Sequence, residues 1–220
     1  MIHFAKGYFD QLLIFNRQGK EAKLYLIEGS IYKVYPHFNY NEAKVERFKS
    51  IKMNHVVLLE DVFEEGDTIG GYKMKYVNGK ILNYPHSTKA VIEASKYVSQ
   101  TVEEMSQYHL VPVDMSIDNT MLTTENQFEF VDTYGYIFYD KLSSQTIYKH
   151  NMSRINNTIM CGLIAQDWSA QLKKYFGENI LNTEKIDLAT FVTDIMTRLD
   201  AEFQCADVKQ LSKVIKNTRR

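Results

Sequence analysis

Five polar residues lie within the first 132 positions in settings that suit the chemistry of phosphate groups. Lys33 is in a short β-like run, and Glu42 opens a helix-like stretch. Asp114 and Asn119 are five positions apart, and Asp132 follows an apolar run. Phosphoryl transfer depends on positioning and charge neutralisation, for which a protein supplies a cation near the phosphate oxygens and carboxylate or amide oxygens for magnesium. Residues of these types could neutralise phosphate oxygens and hold a divalent cation, if the fold brings them together.

The elements that must position these residues begin with a predicted antiparallel sheet in the first 78 residues. Alternating apolar residues predict five short strands. The strands are expected at residues 12–15, 24–27, 31–35, 55–59 and 71–77. Residues 41–51 place Val45 and Phe48 three positions apart, which predicts a helix between the third and fourth strands.

Beyond residue 87 the apolar spacing changes to the period of a helix. Five residues recur at intervals of three and four and predict one long amphipathic helix: Val91, Ala94, Val98, Val102 and Met105. Short strands are expected at residues 121–122 and 128–131, around a turn at 124–126, and a further helix is expected at 188–199. The best hinge lies at residues 78 and 79, which divides the chain into predicted domains 1–78 and 79–220.

A strand-rich part, a hinge and a helical part, carrying these polar residues in this order, resemble the protein-kinase-like superfamily. That superfamily includes eukaryotic-type protein kinases and aminoglycoside phosphotransferases, and the resemblance covers about residues 10–140. It implies a bilobal α+β fold, with a five-stranded antiparallel N-lobe carrying one helix and a reduced, mainly helical C-lobe. No Ala-Pro-Glu segment follows Asp132 and fewer than ninety residues remain, so the plan is similar to that of small bacterial effector kinases.

The resemblance implies roles for residues of the N-lobe. Lys33 matches the family lysine that contacts the α- and β-phosphates of ATP, although a surface lysine on an edge strand is the alternative. Glu42 matches the helix glutamate that orients this lysine, and Glu46, one turn later, is its competitor.

Two further segments would hold the nucleotide. Gly19 is the one glycine retained from the phosphate-covering pattern G-x-G-x-x-G-x-V. Met74, Lys75 and Val77 belong to a segment that resembles the kinase hinge, where backbone groups pair with the adenine edge. An ordinary strand end followed by a turn is the alternative for these residues.

In the C-lobe, residues 114–119 keep the D-x-x-x-x-N spacing of the kinase catalytic loop. The resemblance implies that Asp114 accepts or orients the proton of the substrate hydroxyl. It implies further that Asn119 binds magnesium and that Asp132 bridges magnesium to the phosphates. A turn or capping role is the alternative for each of these residues taken alone.

Departures from the family pattern leave three functions open. Pro112 and Val113 replace the usual His-Arg before the catalytic aspartate, and Ser116 replaces a lysine. Thr133 and Tyr134 replace the Phe-Gly that usually follows the magnesium-binding aspartate, so its aromatic is missing or replaced by Tyr134. The first function is an Mg·ATP-dependent protein kinase that transfers the γ-phosphate to a protein hydroxyl. The second is a pseudokinase that binds nucleotide or protein, and the third is a small-molecule kinase of the aminoglycoside type. A protein substrate is preferred because little length remains to enclose a small molecule.

The composition limits the size of the fold, the class of partner and the cellular location that can be expected. With 220 residues, 45% of them hydrophobic and 13% aromatic, the chain can bury a core as one domain or two small lobes. A formal net charge of -1 gives no reason to expect nucleic acid as a partner. No apolar run approaches the roughly 20 residues of a membrane span, and the N-terminal segment is too short in apolar length for a signal peptide. Cys161 and Cys205 show no metal-ligand spacing or disulfide framework, so a cytoplasmic protein is expected.

The C-terminal residues 208–220 combine apolar and basic positions. This pattern predicts a terminal helix lying on its own core with a solvated basic face. Docking to a partner or to an anionic surface is the alternative.

Overall fold

The computed structural model describes residues 1–18, 22–84 and 86–164. The chain divides into two compact units, each with its own contacts. The first contains residues 1–53 and 57–77, and the second contains residues 54–56 and the described residues from 78 onward. Gly19, the predicted helix at 188–199 and the C-terminal basic pattern lie outside the described residues. Within the described residues, no helix has the length and apolar character needed to cross a membrane.

The first unit is built on a mixed sheet of six strands. These are β1 (Ile2–Phe4), β2 (Asn16–Gln18), β3 (Ala22–Ile27), β4 (Ser30–Val34), β5 (Leu59–Glu65) and β6 (Thr68–Lys75). Their order across the sheet is β1-β5-β6-β4-β3-β2. Strands β2 to β6 pair antiparallel, whereas β1 runs parallel to β5. The prediction of a purely antiparallel, five-stranded sheet is therefore wrong, because β1 adds a sixth strand that runs parallel to β5.

Two of the predicted strands are misplaced. The apolar run at 12–15 precedes β2 and follows a short 3-10 turn (Phe9–Gln11), and Leu13 within it is 94% exposed. The strand expected at 55–59 begins only at Leu59, because residues 54–56 belong to the second unit. In both cases the apolar run lies beside the strand and not along it, although the Phe15 N–H donates to the Leu24 carbonyl at 2.8 Å and Leu59 begins β5.

Helix α1 (Glu42–Ser50) follows β4, as predicted. Asn41 caps its N-terminus, since the side-chain oxygen accepts a hydrogen bond from the Lys44 backbone N–H at 3.0 Å. Val45 and Phe48 are both 1% exposed and form the buried face of the helix, which packs against β5.

An aromatic cluster forms the core on one side of this sheet. Phe9 lies 5.0 Å from Phe63 and 5.1 Å from Tyr25, measured between ring centroids, and Tyr32 completes the buried group. Ring pairs with centroids about 4.5–7 Å apart add about 0.5–1.5 kcal/mol each beyond the burial of their area. Phe4 of β1 packs against the cluster, with its ring 5.0 Å from that of Phe9. This packing explains why a strand of only three residues joins the sheet.

The second unit combines two small sheets with three helices. Strands β7 (Gly79–Ile81), β9 (Thr120–Thr123) and β10 (Phe128–Phe130) form an antiparallel sheet in the order β10-β9-β7. Strands β8 (Leu110–Val111) and β11 (Ile137–Phe138) form an antiparallel pair. The helices are α2 (Thr88–Ser95), α3 (Val98–Gln107) and α4 (Ser144–Ile164).

The long helix predicted after residue 87 is two helices, α2 and α3. The backbone N–H groups of Lys96 and Tyr97 donate to carbonyls three residues back, which tightens the chain into a turn. The predicted buried face is nevertheless confirmed, because all five of its apolar residues are at most 1% exposed. The predicted strands near 121–122 and 128–131 are confirmed as β9 and β10, with the turn between them.

Candidate functional site

Residues 114–119, in the second unit, form a loop closed by its own hydrogen bonds. The Asn119 side-chain nitrogen Nδ2 donates to the Asp114 carbonyl oxygen at 3.1 Å. The Asn119 backbone N–H donates to Ser116 Oγ at 3.2 Å, and Thr120 Oγ1 donates to the Ser116 carbonyl at 3.0 Å. Asn119 is 5% exposed, whereas the Asp114 side chain is exposed. The loop therefore holds Asn119 through its nitrogen and presents the Asp114 carboxylate to solvent.

Asp132 follows β10 in a left-handed backbone conformation, with φ 59° and ψ 42°. Among residues with a Cβ, this conformation is uncommon, and Asp and Asn adopt it most readily. Such conformations concentrate at functional sites, where the surrounding structure holds them. The Val131 N–H donates to the Asn119 carbonyl at 2.9 Å, which ties the residue before Asp132 to the end of the loop. The chain neighbour of Asp132 is thus hydrogen-bonded to Asn119, the other residue predicted to bind magnesium.

The charges of both aspartates act on one buried tyrosine. Tyr136 is 0% exposed, and its hydroxyl donates to Met115 Sδ at 3.5 Å. Burial raises the pKa of Tyr136, and the charges of Asp132 and Asp114 raise it further. Gly135 also lies against the loop, since a Cβ at this position would be 3.6 Å from the Asp114 Cβ. Asp114 and Asp132, eighteen positions apart, therefore share one neighbourhood.

Helix α4 supplies two contacts to this region that the sequence did not indicate. Arg154 Nη2 donates to the Val113 carbonyl at 2.7 Å, next to Asp114 in the chain. Asn151 Nδ2 donates to the carbonyl of Leu110, on β8, at 2.8 Å. The two side chains are three positions apart and so share one face of α4. Arg154 contacts the loop itself, whereas Asn151 contacts β8.

In the first unit, Lys33 is a buried residue of an interior strand. It is 3% exposed on β4, which lies between β3 and β6, and its cross-strand partners are Leu24 and Tyr72. Its Nζ lies 5.2 Å from the centre of the Tyr35 ring, within range of a cation–π interaction. Buried lysines are rare. This position differs from the exposed edge-strand lysine that was the alternative interpretation.

The two candidate partners of Lys33 on α1 are directed to solvent. Glu42 is exposed in the first turn of the helix, and among the described residues it forms no ion pair with Lys33. The Glu46 side chain is 63% exposed and pairs instead with Lys49 at 3.3 Å. The structure therefore does not bring Lys33 together with either glutamate.

The predicted hinge residues divide between a strand and the segment after it. Met74 and Lys75 end β6 and pair with Ile31 and Ser30 of β4. Val77 is 8% exposed, beyond the strand. Within the part of the chain that the structure describes, the backbone groups of residues 76 and 77 make no hydrogen bond to other backbone groups. These two peptide units are the ones in this segment that could pair with a ligand.

The donor set suits magnesium bound together with a phosphate ligand. No group of three His, Cys, Asp or Glu residues able to hold a metal occurs among the described residues. Mg²⁺ commonly takes one or two protein carboxylates, with substrate phosphates and waters completing its six ligands. Asp132 and the Asn119 side-chain oxygen fit that requirement, whereas they would be too few for a metal bound by protein alone.

Comparison with known proteins finds no family model that matches this chain and no curated protein similar to it.

Proposed function

We propose that the protein is an Mg·ATP-dependent phosphotransferase, a minimal protein kinase that transfers the γ-phosphate to a protein hydroxyl. The observation that carries this proposal is the joining of Asp114, Asn119 and Asp132 in the second unit. The loop bonds of Asn119 and the Tyr136 environment bring together three residues whose chemistry suits magnesium and a hydroxyl nucleophile.

In this proposal each of the three residues has a separate task. The exposed Asp114 carboxylate accepts or orients the proton of the incoming hydroxyl. Asp132 and Asn119 ligate magnesium through oxygen atoms. Mg·ATP, when bound, supplies the phosphoryl group and the cation that neutralises its oxygens.

The first unit supports nucleotide binding through its sheet and its buried lysine. Three strands, a helix and two further strands follow one another from β2 to β6, which is the succession that the family resemblance implies for the N-lobe. Lys33 has the charge needed by phosphate oxygens, and its stem is packed within the sheet. Within the described part of the chain, the backbone groups of residues 76 and 77 bond to no other backbone group, which suits an adenine-binding hinge.

Asp114→Asn tests the catalytic role without changing the shape of the side chain. Transfer from γ-labelled ATP to casein, a hydroxyl-rich acceptor, should fall by about 10²–10⁴-fold, the usual contribution of a positioned general base. Binding of Mg·ATP should persist. Asp118→Asn is the matched control, because Asp118 is exposed in the same loop. Full transfer by Asp114→Asn, or equal losses in both variants, would contradict the assignment.

A pseudokinase is the second candidate, favoured by two observations. Glu42 is exposed and forms no ion pair with Lys33 among the described residues. Ser116, in place of the family lysine, has its hydroxyl engaged within the loop. A pseudokinase would bind nucleotide or protein but show no transfer in the same assay, whether or not Asp114 is intact.

A further inference from the structure

Arg154 forms a short hydrogen bond to the loop that carries Asp114. Its Nη2 lies 2.7 Å from the Val113 carbonyl oxygen, across 41 positions of sequence. Hydrogen bonds from a guanidinium are charge-assisted and about twice as strong as those between neutral groups. The acceptor belongs to the peptide unit that joins Val113 to Asp114, so the contact acts directly on the backbone from which the Asp114 side chain emerges.

Arg154 also acts electrostatically on Tyr136, the buried tyrosine whose hydroxyl bonds Met115 of the loop. The charge of Arg154 lowers the pKa of Tyr136, whereas the charges of Asp132 and Asp114 raise it. All three charged groups therefore act on the same buried phenol. Residues 112–119 contain two aspartates and no lysine or arginine, so the loop supplies no cation of its own.

We propose that Arg154 is a positioning residue that fixes the Val113–Asp114 peptide unit and thereby aims the Asp114 carboxylate. The inference rests on the proposed function. The restraint on the loop comes from α4, because residues 112–119 supply no cation of their own. A misplacement of about 1 Å can cost about 100-fold in rate, so a backbone restraint at this point has a large effect on catalysis.

Asn151 provides a matched control on the same helix. It bonds to the carbonyl of Leu110 at 2.8 Å, but that acceptor lies on β8, outside the loop. Asn151 is 0% exposed and uncharged, so its removal disturbs packing without releasing the Val113 carbonyl. The two variants separate a loss of stability from a loss of positioning.

The test compares Arg154→Met, Arg154→Lys and Asn151→Ala by transfer rate and by amide hydrogen exchange. In Arg154→Met, the rate at saturating Mg·ATP should fall about 100-fold, and the ATP concentration for half-maximal rate should change less than about twofold. The Asn119 amide should exchange faster, because the loop that it closes is released. Arg154→Lys retains one charged donor and should recover part of the rate. Asn151→Ala should lower Tm yet keep its rate per folded molecule.

Each outcome decides the proposal. If Arg154→Met keeps the wild-type rate and the wild-type exchange of Asn119, Arg154 does not position the loop. Equal effects in Arg154→Met and Asn151→Ala at matched folded fraction would likewise overturn it. If the wild type transfers no phosphate, the proposed function fails, and exchange alone decides the positioning. Faster Asn119 exchange in Arg154→Met but not in Asn151→Ala would uphold it, and unchanged exchange would refute it.

Discussion

The backbone conformation of Asp132 predicts an inverted order of stability between its alanine and glycine variants. Both substitutions remove the same carboxylate and its contacts, so their difference reports the backbone alone. An L-residue other than Asp or Asn pays about 1–2 kcal/mol in the left-handed region. Glycine adopts it freely but loses about 0.5–1 kcal/mol through the entropy of the unfolded chain. With φ at 59°, Asp132→Gly should therefore be more stable than Asp132→Ala by about 0.5–1 kcal/mol.

Thermal unfolding measures this difference, since 1 kcal/mol corresponds to about 2–4 °C for a chain of this size. The control is Gln100, which is exposed on α3. There the usual order should hold, with Gln100→Ala more stable than Gln100→Gly by about 1 kcal/mol. Asp132→Asn should match the wild type closely, because Asn shares the tolerance of Asp for this conformation. If Asp132→Ala is more stable than Asp132→Gly, the left-handed conformation is wrong.

Two further predictions concern packing and pH. A Cβ on Gly71 would collide with the Lys33 carbonyl oxygen, so Gly71→Ala should lower the free energy of unfolding by about 1–3 kcal/mol in urea denaturation. Gly135→Ala meets only ordinary contacts and should change it by less than about 0.5 kcal/mol, and equal losses would contradict the packing. Because burial raises the pKa of Tyr136 above 10.0, the unfolded chain ionises first. The contribution of Tyr136 to the free energy of unfolding is therefore complete below about pH 10 and declines as pH rises towards the pKa of Tyr136 in the folded protein. Tyr136→Phe lacks this decline, so melting curves between about pH 9 and about pH 11 should show the wild type losing stability relative to the variant, and parallel curves would refute this.

Apolar spacing predicted the buried faces better than it predicted where elements begin and end. Ala94 and Val98 are four positions apart, a spacing that fits one continuous helix. In the structure the same four positions span the turn at Lys96 and Tyr97, with Ala94 in α2 and Val98 in α3. The pattern therefore fixed the burial of both residues without revealing that α2 and α3 are separate. The strand predicted around Leu13 was misplaced because strand formation depends on a partner strand, which local alternation does not specify.

Contacts between residues far apart in the sequence, such as those of β1 and α4, could not be predicted from local patterns either. Ile2 pairs with Phe63, and Arg154 reaches a carbonyl 41 positions away, so no local pattern marks either contact. The candidate site residues could be chosen from the sequence because residue type and spacing are local features. The sequence could not predict whether Glu42 contacts Lys33, because the packing of α1 on β5 decides which side of the helix is buried.

Thermal unfolding of the wild type and of Asp132→Asn with ATP, with and without magnesium, tests whether the protein binds Mg·ATP. Asp132→Asn removes the charge while the backbone conformation is retained, so a change in ligand response reports the metal-binding role. At about 100 times its dissociation constant, Mg·ATP should stabilise the wild type by about 2.7 kcal/mol, which is a shift of about 5–10 °C. Asp118→Asn should keep this shift.

If the protein binds Mg·ATP through Asp132, the shift requires both ATP and magnesium and is lost in Asp132→Asn. An absence of any shift at high ATP, or an equal shift in Asp132→Asn, would rule out this mode of binding.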